Sequence, residues 1–219
     1  MKNFIHHTIY KNTFWLSLQR CVYWEDQKAL IVSDLHFGKT GHFRKSGIAV
    51  PQNIFKEDLQ RLFAEIQFYH PKQLIIVGDL FHSRENKEMN LFLKWRNDIE
   101  HIEVTLIKGN HDVLKDDWYK KAGITVYQKK LQVADFCFTH DISGCDDYAD
   151  ESNYFFSGHI HPGISIRTGV RQSRSFPCYY FGERYAVLPA FSKFTGLYSI
   201  AAKVRDTVYA ITDKELIKL

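Results

Sequence analysis

The sequence of 219 residues has no run approaching about 18 apolar residues, the length a helix needs to cross a bilayer, so no segment is expected to span a membrane. Cysteine is scarce. Cys21, Cys137, Cys145 and Cys178 include no CxxC pair and are too few to staple a chain of this size, so they read as free thiols in a reducing cytoplasm. A leader peptide is not expected either, because MKNFIHHTIYKNTF interrupts its apolar character at His6, His7, Lys11 and Asn12. One-sided charge is also missing: the formal net charge of +4 and the pI near 8.7 are compatible with a polyanionic partner without selecting one. No repeat, low-complexity tract or linker divides the chain. With 45% hydrophobic and 25% charged residues, positions 1–219 are expected to form one globular domain.

What is present has a rhythm. KALIVS (28–33), QLIIVG (73–78) and VTLIKG (104–109) are short β-branched runs of the kind that form strands buried on both faces. Between the first two, Phe55, Leu59, Leu62, Phe63 and Ile66 recur at helical spacing behind Pro51, which suits a helix start. Leu91, Phe92, Trp95 and Ile99 repeat that spacing between the second and third. The alternation predicts a sheet with crossover helices. After Gly123 the chain changes to short strand-like pieces, LQVADFCFTH, YFFSGHI, ISIRTG, CYYFGERYAVLP and GLYSIAAK, which predict a second sheet packed on the first.

The runs end in similar chemistry: Ser33-Asp34-Leu35-His36, then Gly78-Asp79-Leu80-Phe81-His82, then Gly109-Asn110-His111-Asp112. The second half adds Thr139-His140-Asp141 and Gly158-His159-Ile160-His161-Pro162. In an open α/β sheet the loops after the carboxyl ends of the strands converge on one crevice. Six of the eleven histidines (36, 82, 111, 140, 159 and 161) sit just past an apolar run, and the other five do not. Carboxylate, imidazole and amide oxygen without a thiolate favour a hard to borderline divalent ion such as manganese, iron or zinc. Asp34, His36, Asp79, Asn110, His140, His159 and His161 make seven candidate ligands, more than one tetrahedral ion uses. Two ions sharing a bridging carboxylate would use them all. Ions about 3.5–4 Å apart suit in-line displacement at phosphorus, so phosphoester hydrolysis is the expected chemistry.

Singly these motifs are weak, since Asp34-x-His36 alone is more often a turn than a ligand pair; their order along the chain carries the reading. Gly38-Lys39-Thr40 resembles the end of a Walker A loop, but Ser33 stands where its first glycine belongs, which excludes it. Lys39 and Arg44 are candidates to grip a phosphate beside the metals, with ordinary surface ion pairs as the alternative. Arg167, Arg171 and Arg174 read as a solvated basic loop ahead of a track for a nucleic-acid backbone.

The series DxH, GDxxH, GNHD, H and GHxH, in this order, resembles the calcineurin-like metallophosphoesterase superfamily. That resemblance implies an α/β fold, a four-layer α/β/β/α sandwich of two mixed sheets flanked by helices. It implies that Asp34, His36, Asp79 and His161 hold one ion and that Asp79, Asn110, His140 and His159 hold the other, with Asp79 bridging. His111 would face the scissile phosphate as acid or charge stabiliser, with Asp112 orienting its ring. His82 stands where DNA-processing members carry a second catalytic histidine.

GKTGHFRKSGIAVP (38–51), FPCYYF (176–181) and VLPAFSKFTG (187–196) are similar to the bacterial ligase-associated DNA damage response endonuclease family, with Leu197 where a second glycine is common. This narrower resemblance implies a two-metal phosphodiesterase or nuclease, with manganese the first expectation. Its substrate would be DNA ends or single-stranded DNA in repair, and its partners a DNA ligase and a helicase. A small-molecule (cyclic) nucleotide phosphodiesterase or phosphatase on the same site is the alternative. A non-catalytic scaffold is a third reading, against which the full set of ligand positions argues. The protein Ser/Thr phosphatase branch is disfavoured, because Gly78-Asp79 is followed by Leu80-Phe81-His82 and not by Val-Asp-Arg-Gly.

Overall fold

A computed structural model describes residues 4–39, 54–82, 87–144, 153–167 and 172–219. The three β-branched runs become β4 (Ala29–Ser33), β5 (Gln73–Val77) and β6 (Glu103–Ile107), which pair in parallel and continue to β7 (Ile124–Tyr127). β1 (Phe4–Ile9), β2 (Asn12–Ser17) and β3 (Val22–Trp24) extend the same sheet antiparallel, giving seven strands in chain order.

Helices α1 (Ile54–Tyr69), α2 (Lys87–Asp98) and α3 (Asp116–Lys121) lie on one face of this sheet. α1 buries Phe55, Leu59, Leu62 and Ile66 at three- and four-residue spacing against Leu30, Val32, Leu74 and Ile76. The start expected behind Pro51 falls outside the described residues. Ile99, read as part of the second helix, lies just beyond α2 and is still fully buried.

The second half forms β8 (Lys130–Val133), β9 (Phe136–Thr139), β10 (Tyr154–Ser157), β11 (Pro162–Arg167), β12 (Ser173–Phe181), β13 (Tyr185–Val187), β14 (Tyr198–Ser199), β15 (Thr207–Ile211) and β16 (Leu216–Lys218). Their order is β14-β11-β12-β13-β10-β9-β8, with β15 and β16 added beside β12. LQVADFCFTH, read as one piece, is a hairpin that turns at Ala134, where φ is +50°. GLYSIAAK supplies only the two-residue β14.

The sheets face each other across one apolar layer. Ile31, Ile75, Val77 and Ile107 from the first meet Phe136, Phe138, Phe156 and Tyr179 from the second. The expected α/β architecture of two mixed sheets flanked by helices is therefore present. Among the described residues the helices flank the first sheet, and the outer face of the second carries a small cluster of Cys178, Tyr180, Val187 and Val208. A one-residue slip of β4 or β5 would exchange its two buried faces, so these layers fix where each strand ends. Cys21, Cys137 and Cys178 are buried and in no disulfide with one another, and Cys145 lies outside the described residues.

Candidate metal centre

β4 and β5 stop side by side, and their backbones remain paired past the sheet. Asp34 N donates to Gly78 O at 3.2 Å, His36 N to Asp79 O at 2.8 Å and Phe37 N to Leu80 O at 2.9 Å. Here the chain leaves the alternating geometry of a strand. Asp34, His36, Asp79, His159 and His161 have φ of +53°, +48°, +52°, +69° and +52°, five of the eleven non-glycine residues with positive φ among those described. Such backbone costs about 1–3 kcal/mol per residue and persists only where surrounding packing imposes it, which makes the cluster a functional signal. Two glycines make room. A Cβ at Gly78 would lie 2.0 Å from His140 Nδ1, and one at Gly109 would lie 2.2 Å from Asp79 Oδ1.

All seven candidate ligands converge. On one side, His161 Nε2 is 3.1 Å from His36 Nε2 and 3.3 Å from Asp34 Oδ1. On the other, His140 Nε2 is 3.2 Å from Asn110 Oδ1, 3.2 Å from His159 Nδ1 and 3.4 Å from Asp79 Oδ2. Asp79 Oδ2 is also 3.8 Å from His36 Nε2, so it stands between the two sets. By proximity alone Asp34, Asp79 and His140 also group together. His140 Nδ1, however, is engaged by Val77 O at 3.1 Å, so Nε2, which faces Asn110, His159 and Asp79, is the nitrogen that belongs to the second set.

The donor set fits a divalent ion. Asp34 Oδ1 is fully buried without a hydrogen-bond partner, yet His161 Nε2, His36 Nε2 and His140 Nδ1 lie 3.3, 3.9 and 4.0 Å from it. A buried carboxylate oxygen left this way costs about 1–3 kcal/mol or more unless a cation completes it. Two imidazole nitrogens at 3.1 Å likewise suit a shared electron-pair acceptor. Burial holds the His36 ring down to about 3 against the charges of Asp34 and Asp79, which leaves its lone pair free. Burial also opposes charge on Asp79 and His140, but their mutual hydrogen bond overrides it. The carboxyl is held low and the imidazole high when a proton takes the place of an ion.

Asp34 Oδ2 is separately anchored, 2.5 Å from Ser33 Oγ and accepting from His159 N at 3.0 Å. The sequence reading missed Ser33 in this role, and only its position before Asp34 could have signalled it. It also missed what Leu188–Ser192 does. Leu188 N donates to Ser157 O, Phe191 N to Ser33 O and Ser192 N to Asp34 O, at 2.8, 2.8 and 3.3 Å, so this segment ties the ends of β10 and β4 together. Arg20 donates to the carbonyls of Ala190 and Ser192, and Arg61 to that of Phe191, whose ring lies 4.0 Å under its guanidinium.

His111 is held through its backbone N–H, which donates to Asp79 Oδ1 at 2.9 Å. Its ring lies 4.4 Å from that of His82 and 5.4 Å from that of His36, centroid to centroid, so the two expected catalytic histidines share one side of the centre. Asp112 has other partners than the expected ring. Its carboxylate accepts the backbone N–H groups of Gly109, Leu80 and Phe81 at 2.9, 3.0 and 3.2 Å, stapling the third motif to the second. Lys39 is half-buried; burial lowers its pKa while the charges of Asp34 and Asp79 act against that fall. Arg44 and Arg171 lie outside the described residues. Arg174 is exposed on β12 and pairs with Asp213 at 3.3 Å.

Two facing mixed sheets whose strand ends gather carboxylates and imidazoles, with no thiolate among them, define a metal-dependent phosphoester hydrolase. The chain belongs to the calcineurin-like phosphoesterase family, whose profile matches residues 28–181. The crystal structure of Pseudomonas putida nuclease MPE is similar along the whole chain, at 25% identity over 99% of this chain and 100% of that one, with a TM-score of 0.83. Yfce, a phosphoesterase from E. coli, is more distant, at 12% identity over 87% of this chain and 97% of that one, with a TM-score of 0.44. No curated protein matches the sequence. No helix among the described residues is long and apolar enough to cross a membrane.

Proposed function

We propose that the chain is a two-metal phosphodiesterase acting on nucleic acid, a nuclease for DNA ends or single-stranded DNA. The observation that carries this reading is the likeness to Pseudomonas putida nuclease MPE from end to end. Asp34, His36, Asp79 and His161 would hold one ion, and Asp79, Asn110, His140 and His159 the other. When bound, such ions polarise phosphoryl oxygens and activate a nucleophile, and manganese suits a donor set of oxygen and nitrogen. The protein's own groups do the rest. His140 Nδ1–H on Val77 O fixes the tautomer that aims Nε2 inward. His111, fixed to Asp79 through its backbone and flanked by His82, gives a proton to the leaving oxygen or stabilises its charge. Lys39 meets a phosphate oxygen. Asp112 positions the loop that carries His111.

The same reading takes residues 1–219 as one domain, since both sheets share one apolar layer. It places the protein in DNA repair beside a DNA ligase and a helicase, in a cytoplasm whose reducing conditions suit buried cysteines held as thiols. The test is hydrolysis of single-stranded, duplex and flapped DNA and of a nitrophenyl phosphodiester by manganese-loaded protein. Cleavage of DNA that also competes with the small diester is the expected result. Hydrolysis of the small diester with no DNA cleavage or competition points to a small-molecule phosphodiesterase instead. No hydrolysis at full metal loading points to a scaffold.

A further inference from the structure

Beside the metal centre a groove of about 590 Å³ opens next to α3, reaching across to α2. Met89 of α2 faces Leu114 and Trp118 across it, and Val113, 49% exposed, stands on its rim. Two routes connect it to the candidate catalytic histidines. Val113 N donates to His111 O at 2.9 Å, so the rim begins two residues past His111. On the inner side the Trp118 ring meets Phe81 edge-on at 5.0 Å, and Phe81 precedes His82, whose ring is 4.4 Å from that of His111. Lys115 and Lys121 flank the groove against a single carboxylate, Asp117. Among the described residues neither lysine is engaged in an ion pair, so both ammonium groups are available to an anion.

Apolar walls that include an indole, with two uncommitted cations at the edge, match a base and its flanking phosphates, the combination that single-strand binders use. Lys115 lies four positions after His111, a reach of at most about 14 Å. A strand with one phosphate at the metal centre can therefore reach the groove within about four nucleotides, at roughly 3.4 Å of rise each. We infer that this groove seats a nucleotide of the single-stranded substrate beside the scissile bond, its base against Met89 and Trp118 and its phosphates at Lys115 and Lys121. The inference rests on the nuclease reading and names a substrate subsite for it.

The test is the double variant Lys115→Gln/Lys121→Gln, with Val113→Asp as an independent change at the rim. Metal-loaded protein is assayed on a single-stranded oligonucleotide and on a nitrophenyl phosphodiester. The expected loss on the oligonucleotide exceeds that on the small diester by about tenfold or more and falls on KM. Removing two phosphate contacts should also flatten the plot of log K against log salt by about 1.4, at roughly 0.7 per contact for a single strand. Equal losses on both substrates, or an unchanged oligonucleotide KM and salt slope, overturn the groove while nucleic-acid cleavage by the parent protein stands. A parent protein that hydrolyses the small diester and neither binds nor cleaves nucleic acid overturns the nuclease reading and the groove together.

Discussion

Replacing Asp112 with alanine removes the acceptor for the backbone N–H groups of Gly109, Leu80 and Phe81, which it holds at 2.9, 3.0 and 3.2 Å. Hydrogen bonds to a charged acceptor contribute about 1.5–3 kcal/mol each, so the low end for three is about 4.5 kcal/mol. Two effects reduce it. Burial pushes the Asp112 carboxyl up to about 6, so its ionised form is already held against desolvation. Water can also enter the space left by the smaller side chain and bridge the freed donors. A net loss of about 2–4 kcal/mol remains, which at roughly 2–4 °C per kcal/mol lowers Tm by on the order of 10 °C. Asp112→Asn keeps one oxygen for Leu80 and Phe81 but turns an NH2 toward Gly109 N, and should lose about half as much. Thermal unfolding of metal-free protein isolates this effect, and diester turnover of the metal-loaded variants shows activity falling as the loop loosens. An alanine variant whose metal-free Tm stays within about 2 °C of the parent, while turnover collapses roughly 100-fold, would refute the staple and return Asp112 to orienting His111.

Four further changes probe other parts of the molecule. The parent should hold about two ions; His111→Ala should keep both yet lose on the order of 10²–10⁴ in rate on DNA, and less on a nitrophenyl diester, whose leaving group needs little protonation. His159→Ala should lose an ion instead, so elemental analysis and turnover on both substrates separate the two histidines. Gly78→Ala would place a methyl group 2.0 Å from His140 Nδ1 at a φ of +79°, so its ion content should drop; full occupancy would show that His140 can move aside. Burial, helped by the Lys218 charge, holds His7 down to about 4, where it stacks on Phe181 and meets Tyr209 OH at 3.1 Å. The unfolded chain takes up that proton first, near 6.5, so stability present above about 6.5 is lost as pH falls toward about 4. Partial exposure reduces the full shift to about 1–2 kcal/mol, and His7→Phe should flatten that window in urea unfolding at pH 5 and 7; an unchanged pH slope would rule His7 out.

Legibility in the sequence followed the physics of burial. β4 and β5 are covered on both faces and β6 on both only towards its end, so their residues read as largely apolar runs, and the polar residues ending each run marked the crevice. β1 was not foreseen because its His6 and Thr8 face solvent, which leaves no run to see. α3 is six residues long, too short for a helical period to show. A carboxylate beside His111 suits an orienting group or a loop staple equally well on paper, and only the three N–H groups around Asp112 distinguish them. Arg20 acts on Ser192, 172 positions along the chain, a distance at which nothing local in the sequence marks the contact.

The place of β10 in its sheet sets an order of events during synthesis. β10 is central, paired in parallel with β9 on one side and with β13 on the other, and it delivers Gly158-His159-Ile160-His161. β13 (Tyr185–Val187) leaves the ribosome after those histidines, and Leu188–Ser192, which ties Ser157 to Ser33 and Asp34, leaves later still. A nascent chain that has reached His161 thus carries every candidate ligand but lacks the strand and the strap that aim the last two. On the proposed two-ion reading, tight ion capture therefore waits for the second sheet to close, and a chain ended after His161 should fail to retain the ions that the full chain binds.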